Sequence, residues 1–433
     1  MSDVLLVNPG ENSPYPAMGL AELAAFIRYY GYSVKIIDFS LPGTSETDVL
    51  NSKAEIVGIS VPCGLVAKSL ALANYVKKNM RSTVVFGGYY PTLCTDGCME
   101  NEDVDFVVIG EGELPFLKLL DFLHKSEGSL RKISGIAYKH KKSGKIFINK
   151  NRVCIDNLDS LPAPAFDLLN IGGYPRKDRG NITATISTGR GCPFGCVFCS
   201  QSAFWERKVR HKSPGKIFQT VDVLMKKHPI NYVRILDDIF PIRPKEALEI
   251  AEGLKERNLL WECQARIDVV NENLIGKLAK TNLDRVFFGI ESGSPKIQEF
   301  IGKKFNRETI RAIISTVRRK GIKTKASFQL GFPGETIEDI ELTIALAKTL
   351  EIDEIALFLS TPFPGTPLFR FAMERNLIRS YDPDDCDPSI ASMDTGYLRA
   401  EEIEKEALRF LEKVPRANWG HHSEKGRKLR KLV

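Results

Sequence analysis

Thr183-Ala-Thr-Ile-Ser-Thr-Gly-Arg-Gly-Cys192-Pro-Phe-Gly-Cys196-Val-Phe-Cys199-Ser200 joins a short strand-like run to a glycine-rich loop carrying three of the chain's nine cysteines. The spacing is Cys-x3-Cys-x2-Cys, with an aromatic residue, Phe198, directly before the last thiol. Thiolates hold iron–sulfur clusters, and three of them can hold three irons of a 4Fe–4S cube. The fourth iron is then left for a substrate or cofactor. Gly189, Gly191 and Gly195 let the backbone fold tightly around such a cube and aim amides at its sulfurs. The alternative is a zinc knuckle short of one ligand. A closed zinc site needs four, and His211 lies twelve residues past Cys199.

Downstream of the loop the chain alternates strand-like and helix-like runs. Counting 183–188 as the first, strand candidates follow at 232–236, 262–267, 285–290, 323–330 and 354–360. Helical periodicity fills the gaps, as at 244–257, 307–320 and 336–350. These six βα units are too few for an eight-fold barrel, so a partial (β/α)6 TIM-type barrel is expected. In such barrels the chemistry gathers at the carboxyl ends of the strands, where the cysteine loop falls.

Upstream, residues 1–125 alternate in the same way. Strand-like runs at 4–7, 33–39, 55–61, 83–86 and 104–109 are separated by helical patterns, for example at 19–30 and 66–80. Strands joined by helices imply a parallel sheet, and right-handed crossovers make it a doubly wound, Rossmann-like α/β domain. Ligands of these sheets bind at the carboxyl strand ends, where Asn8-Pro9-Gly10, Ser60, Gly87-Gly88 and Gly110 lie. A hairpin around Lys141-Lys142-Ser143-Gly144 follows, then a stretch at 158–179 with Pro162, Pro164, Pro175 and Gly172-Gly173, read as a linker. The expected organisation is therefore a Rossmann-like domain at 1–130, hairpin and linker at 131–180, the barrel at 181–380 and a helical C-terminal extension at 381–433. That extension ends in a basic tail with Lys425, Arg427, Lys428, Arg430 and Lys431. A solvated tail and contact with a membrane surface or acidic partner both remain open for it.

The bulk numbers narrow the class. A chain of 433 residues exceeds one ordinary core, and 43% hydrophobic with 27% charged residues is ordinary for a globular protein. A net charge of +7 suits anionic small molecules or loose nucleic-acid contact and falls short of a dedicated nucleic-acid binder. No apolar run reaches the ~18 residues of a membrane span. The N-terminus reads directly as a strand, so a cytoplasmic location is expected. Cys63, Cys94, Cys98, Cys154, Cys263 and Cys386 are scattered and read as small core residues or idle thiols.

The cysteine loop resembles that of the radical S-adenosylmethionine superfamily, and the order of parts resembles its cobalamin-binding-domain subgroup. Further along, Asp237-Asp238-Ile-Phe240, Gln264-x-Arg266, Gly289-Ile-Glu291-Ser292-Gly293, Gly331-Phe-Pro333-Gly334-Glu335-Thr336 and Pro364-Gly365-Thr366-Pro367 are similar to motifs of its successive strands. The resemblance implies that Cys192, Cys196 and Cys199 ligate the cluster and that its open iron chelates S-adenosylmethionine. It places Phe198 against the adenine, Asp238, Arg266, Glu291 and Ser292 on the amino-acid and ribose parts, and Gly331 and Pro333 beside the adenine. Surface carboxylates at Asp238 and Glu291 and a plain ion pair at Arg266 are the alternatives. In the N-terminal domain the resemblance implies cobalamin contacts at Asn8, Ser60, Gly87, Gly88, Tyr90 and Gly110. No histidine precedes His124, so the cobalt-ligating histidine of methionine-synthase-type domains is absent, and Tyr90 stands where many relatives have histidine. A Rossmann-like domain that is only structural or binds substrate is the alternative.

The chemistry implied is reductive cleavage of S-adenosylmethionine to a 5′-deoxyadenosyl radical, with the electron coming from flavodoxin or ferredoxin. Cobalamin-dependent methylation of an unactivated carbon of a small-molecule substrate then follows. Radical cyclisation, rearrangement or dehydration without methyl transfer is the second expectation. A non-catalytic iron–sulfur or zinc protein is the third.

Overall fold

A computed structural model describes residues 3–10, 13–140, 143–174, 180–303, 305–379 and 382–420. The chain divides into two compact units, one of Met1–Ile186 with Arg210–Asn231 and one of Ser187–Val209 with Tyr232–Val433.

In the first unit the strands are β1 (Val4–Asn8), β2 (Val34–Asp38), β3 (Ile56–Ser60), β4 (Thr83–Gly87), β5 (Phe106–Val108), β6 (Ile136–Lys139) and β7 (Ile146–Asn149). They form one sheet in the order β2-β1-β3-β4-β5-β6-β7, parallel through β5. The last two strands form an antiparallel hairpin on its edge. Its turn residues Lys141 and Lys142 lie outside the described residues. Successive β1 side chains go to opposite faces, as the period of two requires. Leu5 and Val7 join a core with Val49 of α2 (Glu46–Ser52) and Leu72 and Val76 of α3 (Val66–Asn79). Val4 and Leu6 join another with Phe26 of α1 (Met18–Tyr29) and Leu119 and Leu120 of α6 (Glu113–Lys125). Helices on both faces make the sheet doubly wound, and the strand order reverses between β1 and β3. The crevice at that switch point is where such sheets bind ligands. Two short helices, α4 (Tyr89–Leu93) and α5 (Thr95–Glu100), follow β4.

The proline-rich stretch after the hairpin has only single 3-10 turns, yet it is packed. Leu158, Leu161 and Ala165 are buried in the α1–α6 core, and the Ala165 amide donates to the Ala21 carbonyl at 3.0 Å. Residues 175–179 lie outside the described residues. The short strand β8 (Thr183–Ile186) closes this part of the chain, and β10 (Arg210–His211) with α8 (Pro214–Lys227) packs in the same unit.

The second unit starts with the two-residue strand β9 (Gly189–Arg190) and helix α7 (Ser200–Trp205). It then builds parallel strands β11 (Tyr232–Ile235), β12 (Leu260–Ala265), β13 (Leu283–Glu291), β14 (Lys323–Leu330), β15 (Glu354–Leu359) and β16 (Ala417–Trp419), paired in chain order. Helices α9 (Pro244–Glu256), α10 (Glu272–Leu278), α11 (Pro295–Phe300), α12 (Arg307–Arg319), α13 (Ile337–Thr349), α14 (Pro367–Glu374) and α15 (Ala400–Lys413) fill the connections. One strand face is apolar and fully buried, with Trp261, Phe288 and Phe328. The alternate residues Gln264, Arg285, Phe287 and Gln329 are half-buried and mostly polar. This is the partial barrel expected, with two differences: its expected first strand, 183–188, is β8 and groups with the first unit, and a strand is added at the other end. The C-terminal extension is not only helical, because Ala417–Trp419 adds a strand beside β15. The basic tail at 421–433 lies outside the described residues. Among the described residues no helix is long and apolar enough to cross a membrane.

Strand β13 is locked to α13 by a close backbone approach just past its end. A Cβ at Gly293 would sit 2.4 Å from the Leu342 carbonyl oxygen, which cannot swing aside as a side chain could. Gly293→Ala should therefore destabilise the protein by about 1–3 kcal/mol through overpacking, read as a lower Tm.

Candidate active site

The cysteine loop is held from several directions within the second unit. Gly191 has φ +89°, and a Cβ there would lie 1.9 Å from the Lys208 carbonyl oxygen. Only glycine meets both conditions. The Cys199 amide donates to the Cys196 carbonyl at 3.1 Å, and the Leu368 amide at the start of α14 donates to the Val197 carbonyl at 2.9 Å. Phe198 packs in apolar clusters with Ile297, Ile301 and Leu368, its ring 5.7 Å from that of Phe332. Cys192 and Cys196 are buried and Cys199 half-buried. Burial pushes the Cys192 thiol up to about 11 and the Cys199 thiol up to about 12, and Asp238 and Cys196 add to both. Iron must therefore displace protons from them on binding.

These residues fit an iron–sulfur cube. The donor set is three soft sulfurs on a tight glycine loop, and a guanidinium nitrogen of Arg266, Nη1, lies 3.3 Å from the Cys196 sulfur. Among the described residues no three His, Cys, Asp or Glu side chains are arranged to hold a single metal ion. A cube gives each thiolate its own iron, so three thiolates can serve it without converging on one centre.

The strand ends bring most of the expected residues to the same unit, but neighbouring residues do different jobs. Past β11, Asp237 accepts from the Thr188 amide at 2.7 Å and from the Thr188 hydroxyl, anchoring the start of the cysteine loop. Burial, with Asp237 beside it, lifts the Asp238 carboxyl to about 6. Past β12, Arg266 is buried, its Nε and Nη2 donate to the Asp268 carboxylate at 2.9 and 2.7 Å, and its face stacks 3.9 Å from the Phe194 ring centre.

At the end of β13, Glu291 has φ +68° and lies at a bulge in the register with β14. Its Oε1 pairs with Lys303 at 2.8 Å, and its Oε2 accepts from Ser327 and Gln329, both at 3.0 Å. Ser292, expected beside it on the cofactor, is fully buried, with its hydroxyl 3.1 Å from that of Thr343 and accepting from the Ser294 amide. That geometry makes it a fastener between β13 and α13. After β14, Gly331 has φ +91° and Pro333 is buried. The amides of Gly331 and Phe332 donate to one oxygen of Glu335, while its other oxygen is buried without a hydrogen-bond partner. Lys303 and Glu335 were not singled out as site residues. Lys303 carries no motif of its own, and Glu335 stands in a glycine-rich motif read only for its backbone.

In the first unit, Asn8 and Ser60 end the two strands that flank the switch point. The Asn8 amide donates to buried Asp38 at 2.9 Å, and the Tyr174 hydroxyl donates to the same carboxylate at 2.7 Å. Gly88 has φ +98°, and a Cβ there would lie 3.3 Å from the Ser60 hydroxyl, so a side chain would crowd this strand end. Thr92 ties the two glycine turns together, donating to the Gly88 carbonyl at 2.7 Å and accepting from the Gly110 amide at 2.9 Å. Tyr90, expected at the ligand, is buried in the α2–α3 core, while Tyr89 is half-buried at the strand end. The short α4 turns consecutive tyrosines to different sides. These strand ends thus present glycine backbone and small polar side chains on the side where a doubly wound sheet takes its ligand.

Comparisons with known proteins agree with this architecture. The radical SAM superfamily matches residues 186–347, and the B12 binding domain matches residues 12–120. An uncharacterized methyltransferase of Pyrococcus horikoshii is 35% identical over 371 residues, covering 84% of this chain and 80% of the relative. The chain belongs to the radical S-adenosylmethionine superfamily, in the subgroup that carries a B12-binding domain. An anaerobic magnesium-protoporphyrin IX monomethyl ester cyclase of Rubrivivax gelatinosus is 28% identical, covering 85% of this chain and 69% of the relative. The radical S-adenosylmethionine methyltransferase TsrM of Kitasatospora setae, solved with cobalamin and a 4Fe–4S cluster, aligns with TM-score 0.77 at 16% identity, covering 98% and 92%. That last likeness carries the fold. The expected family, fold class and cofactor set of 4Fe–4S cluster, S-adenosylmethionine and cobalamin are borne out.

Two outcomes follow from the loop and from Glu335. Gly191→Ala should abolish cluster incorporation, seen as iron per chain falling to the background of a chain without its cysteines. Burial raises the Glu335 carboxyl to about 8, against the pull of the Gly331 and Phe332 amides. A carboxyl raised on folding contributes stability that is complete below its unfolded value and lost as pH rises through the folded one. Stability should thus decline from about pH 4.5 to about pH 8, and Glu335→Gln should flatten that decline in urea midpoints.

Proposed function

We propose that the protein methylates an unactivated carbon of a small molecule, with Cys192, Cys196 and Cys199 as the cluster ligands. The observation that carries the proposal is that the cysteine loop meets the strand ends of its own unit. Arg266 reaches the Cys196 sulfur at 3.3 Å, and Phe198 packs at 5.7 Å against Phe332 of the β14 loop. When bound, the cluster and S-adenosylmethionine supply a 5′-deoxyadenosyl radical, and cobalamin supplies the methyl group.

The chain's own residues bind, orient and exclude water. Asp238, Arg266 and Glu291 present charge at three successive strand ends, where the polar groups of S-adenosylmethionine need partners. Phe198, Phe332 and the Gly331–Gly334 backbone give the adenine an apolar slot. Ser292 positions Glu291 through the β13–α13 junction. In the first unit, Ser60, Gly87, Gly88 and Gly110 line the switch-point crevice for cobalamin, Asn8 fixes the β1 edge, and Tyr90 supports α4 from the core. The reading at 1–130, 131–180, 181–380 and 381–433 is adjusted at two places, because the hairpin β6–β7 and the 158–165 stretch join the first unit and Ala417–Trp419 joins the second unit's sheet. Flavodoxin or ferredoxin supplies the electron, in the cytoplasm. The relative named as a methyltransferase supports methyl transfer. The match to a cyclase keeps radical cyclisation as the second reading.

Anaerobic reconstitution with iron, sulfide, cobalamin and S-adenosylmethionine, followed by reduction with dithionite or reduced flavodoxin as electron source, tests the proposal. The expected products are 5′-deoxyadenosine together with S-adenosylhomocysteine, and Cys199→Ala should abolish both. Deoxyadenosine without S-adenosylhomocysteine would replace methylation with the second reading. Cleavage that survives in Cys199→Ala would overturn the ligand assignment.

A further inference from the structure

We propose that Arg266 tunes the reduction potential of the cluster through its hydrogen bond to the Cys196 sulfur. This rests on the reading that Cys196 is a cluster ligand. Two of the three sulfurs take backbone amides and the third takes a charged side chain. The Phe194 backbone amide serves Cys192, and the backbone amides of Gln201 and Ser202 serve Cys199. At Cys196 the donor is a cation, Arg266 Nη1 at 3.3 Å.

Three contacts hold that cation in place. The Asp268 carboxylate takes Nε and Nη2 as a fork at 2.9 and 2.7 Å, and such bidentate pairs fix direction as well as position. The Phe194 ring, on the loop between Cys192 and Cys196, covers one guanidinium face at 3.9 Å. The residue as a whole is 6% exposed. A cation fixed and removed from water acts on a neighbouring charge with little screening.

The redox consequence has a definite sign. Reduction places one electron from the donor on the cluster, lowers its net charge by one and breaks no bond in the protein. The added charge spreads onto the sulfurs, and donors to those sulfurs stabilise the reduced state. Arg266 therefore raises the potential and makes the electron easier to accept. Asp268 partly offsets this through its own charge, but without it the fork that aims Nη1 at the sulfur is lost.

The test is an EPR-monitored anaerobic redox titration of the reconstituted protein without S-adenosylmethionine. Arg266→Met should shift the midpoint to lower potential, and Arg266→Lys, which keeps the charge but not the fork, should fall between it and the parent. A midpoint in Arg266→Met equal to that of the parent would overturn the inference. Should Arg266→Met hold no cluster, Arg266→Gln replaces it under the same criterion. Iron content of Cys196→Ala separates the two readings. A full cluster retained there overturns the ligation of Cys196 itself, whereas loss of iron there with an unshifted Arg266 variant overturns only the tuning.

Discussion

The buried ion pair between Glu291 and Lys303 sets the geometry of the barrel's working end. Both side chains are almost completely withdrawn from water, where a lone charge is costly and a removed partner typically costs about 3–5 kcal/mol. The pair is tolerable because further hydrogen bonds serve both partners. Ser327 and Gln329 donate to the second Glu291 oxygen, and Lys303 also donates to the Gly289 carbonyl at 2.8 Å. Gly289 is a condition of the pair, since a Cβ there would lie 2.6 Å from Glu291 Oε1 and 2.8 Å from Lys303 Nζ. The bulge and the positive φ at Glu291 follow from aiming a carboxylate back over its own strand. Such backbone persists only where the surroundings over-determine it. Here Ser292 with Thr343, Ser294 with Asp339 and Gly293 against Leu342 do so on the far side.

Much of this was legible in the sequence, for a physical reason. Buried parallel strands are short apolar runs ended by turn residues, so 323–330 coincides with β14 (Lys323–Leu330), and 232–236 and 354–360 run one residue past β11 and β15. The cysteine loop was legible because cluster chemistry dictates both residue type and spacing. Ala417-Asn-Trp419 was not, because three residues show no period, and only pairing with β15 makes them a strand. Lys303 was hidden for another reason. Its role comes from a contact with a residue twelve positions earlier across a strand–helix turn, and a lone lysine among Gly302 and Lys304 looks like any surface cation.

The misplaced residues share one cause, which sharpens how strand-end motifs should be read. Successive side chains at the end of a strand leave on opposite sides, so a motif of two neighbouring residues splits between the site and the scaffold. Asp237 anchors Thr188 while Asp238 keeps a raised pKa beside the thiols. Glu291 faces the polar network while Ser292 is spent on Thr343. At Tyr89 and Tyr90 the helical turn of α4 makes a similar division, sending Tyr90 into the core and leaving Tyr89 half-buried. A motif match assigns chemistry to the pair, and only the geometry assigns it to one member. The scaffold partner then matters through stability, because replacing it leaves buried donors unsatisfied at about 1–3 kcal/mol each. The site partner matters through charge and hydrogen bonding at the cofactor. Adjacent substitutions that both abolish activity therefore do so by separate routes, one by loosening the strand end and the other by removing what that end presents.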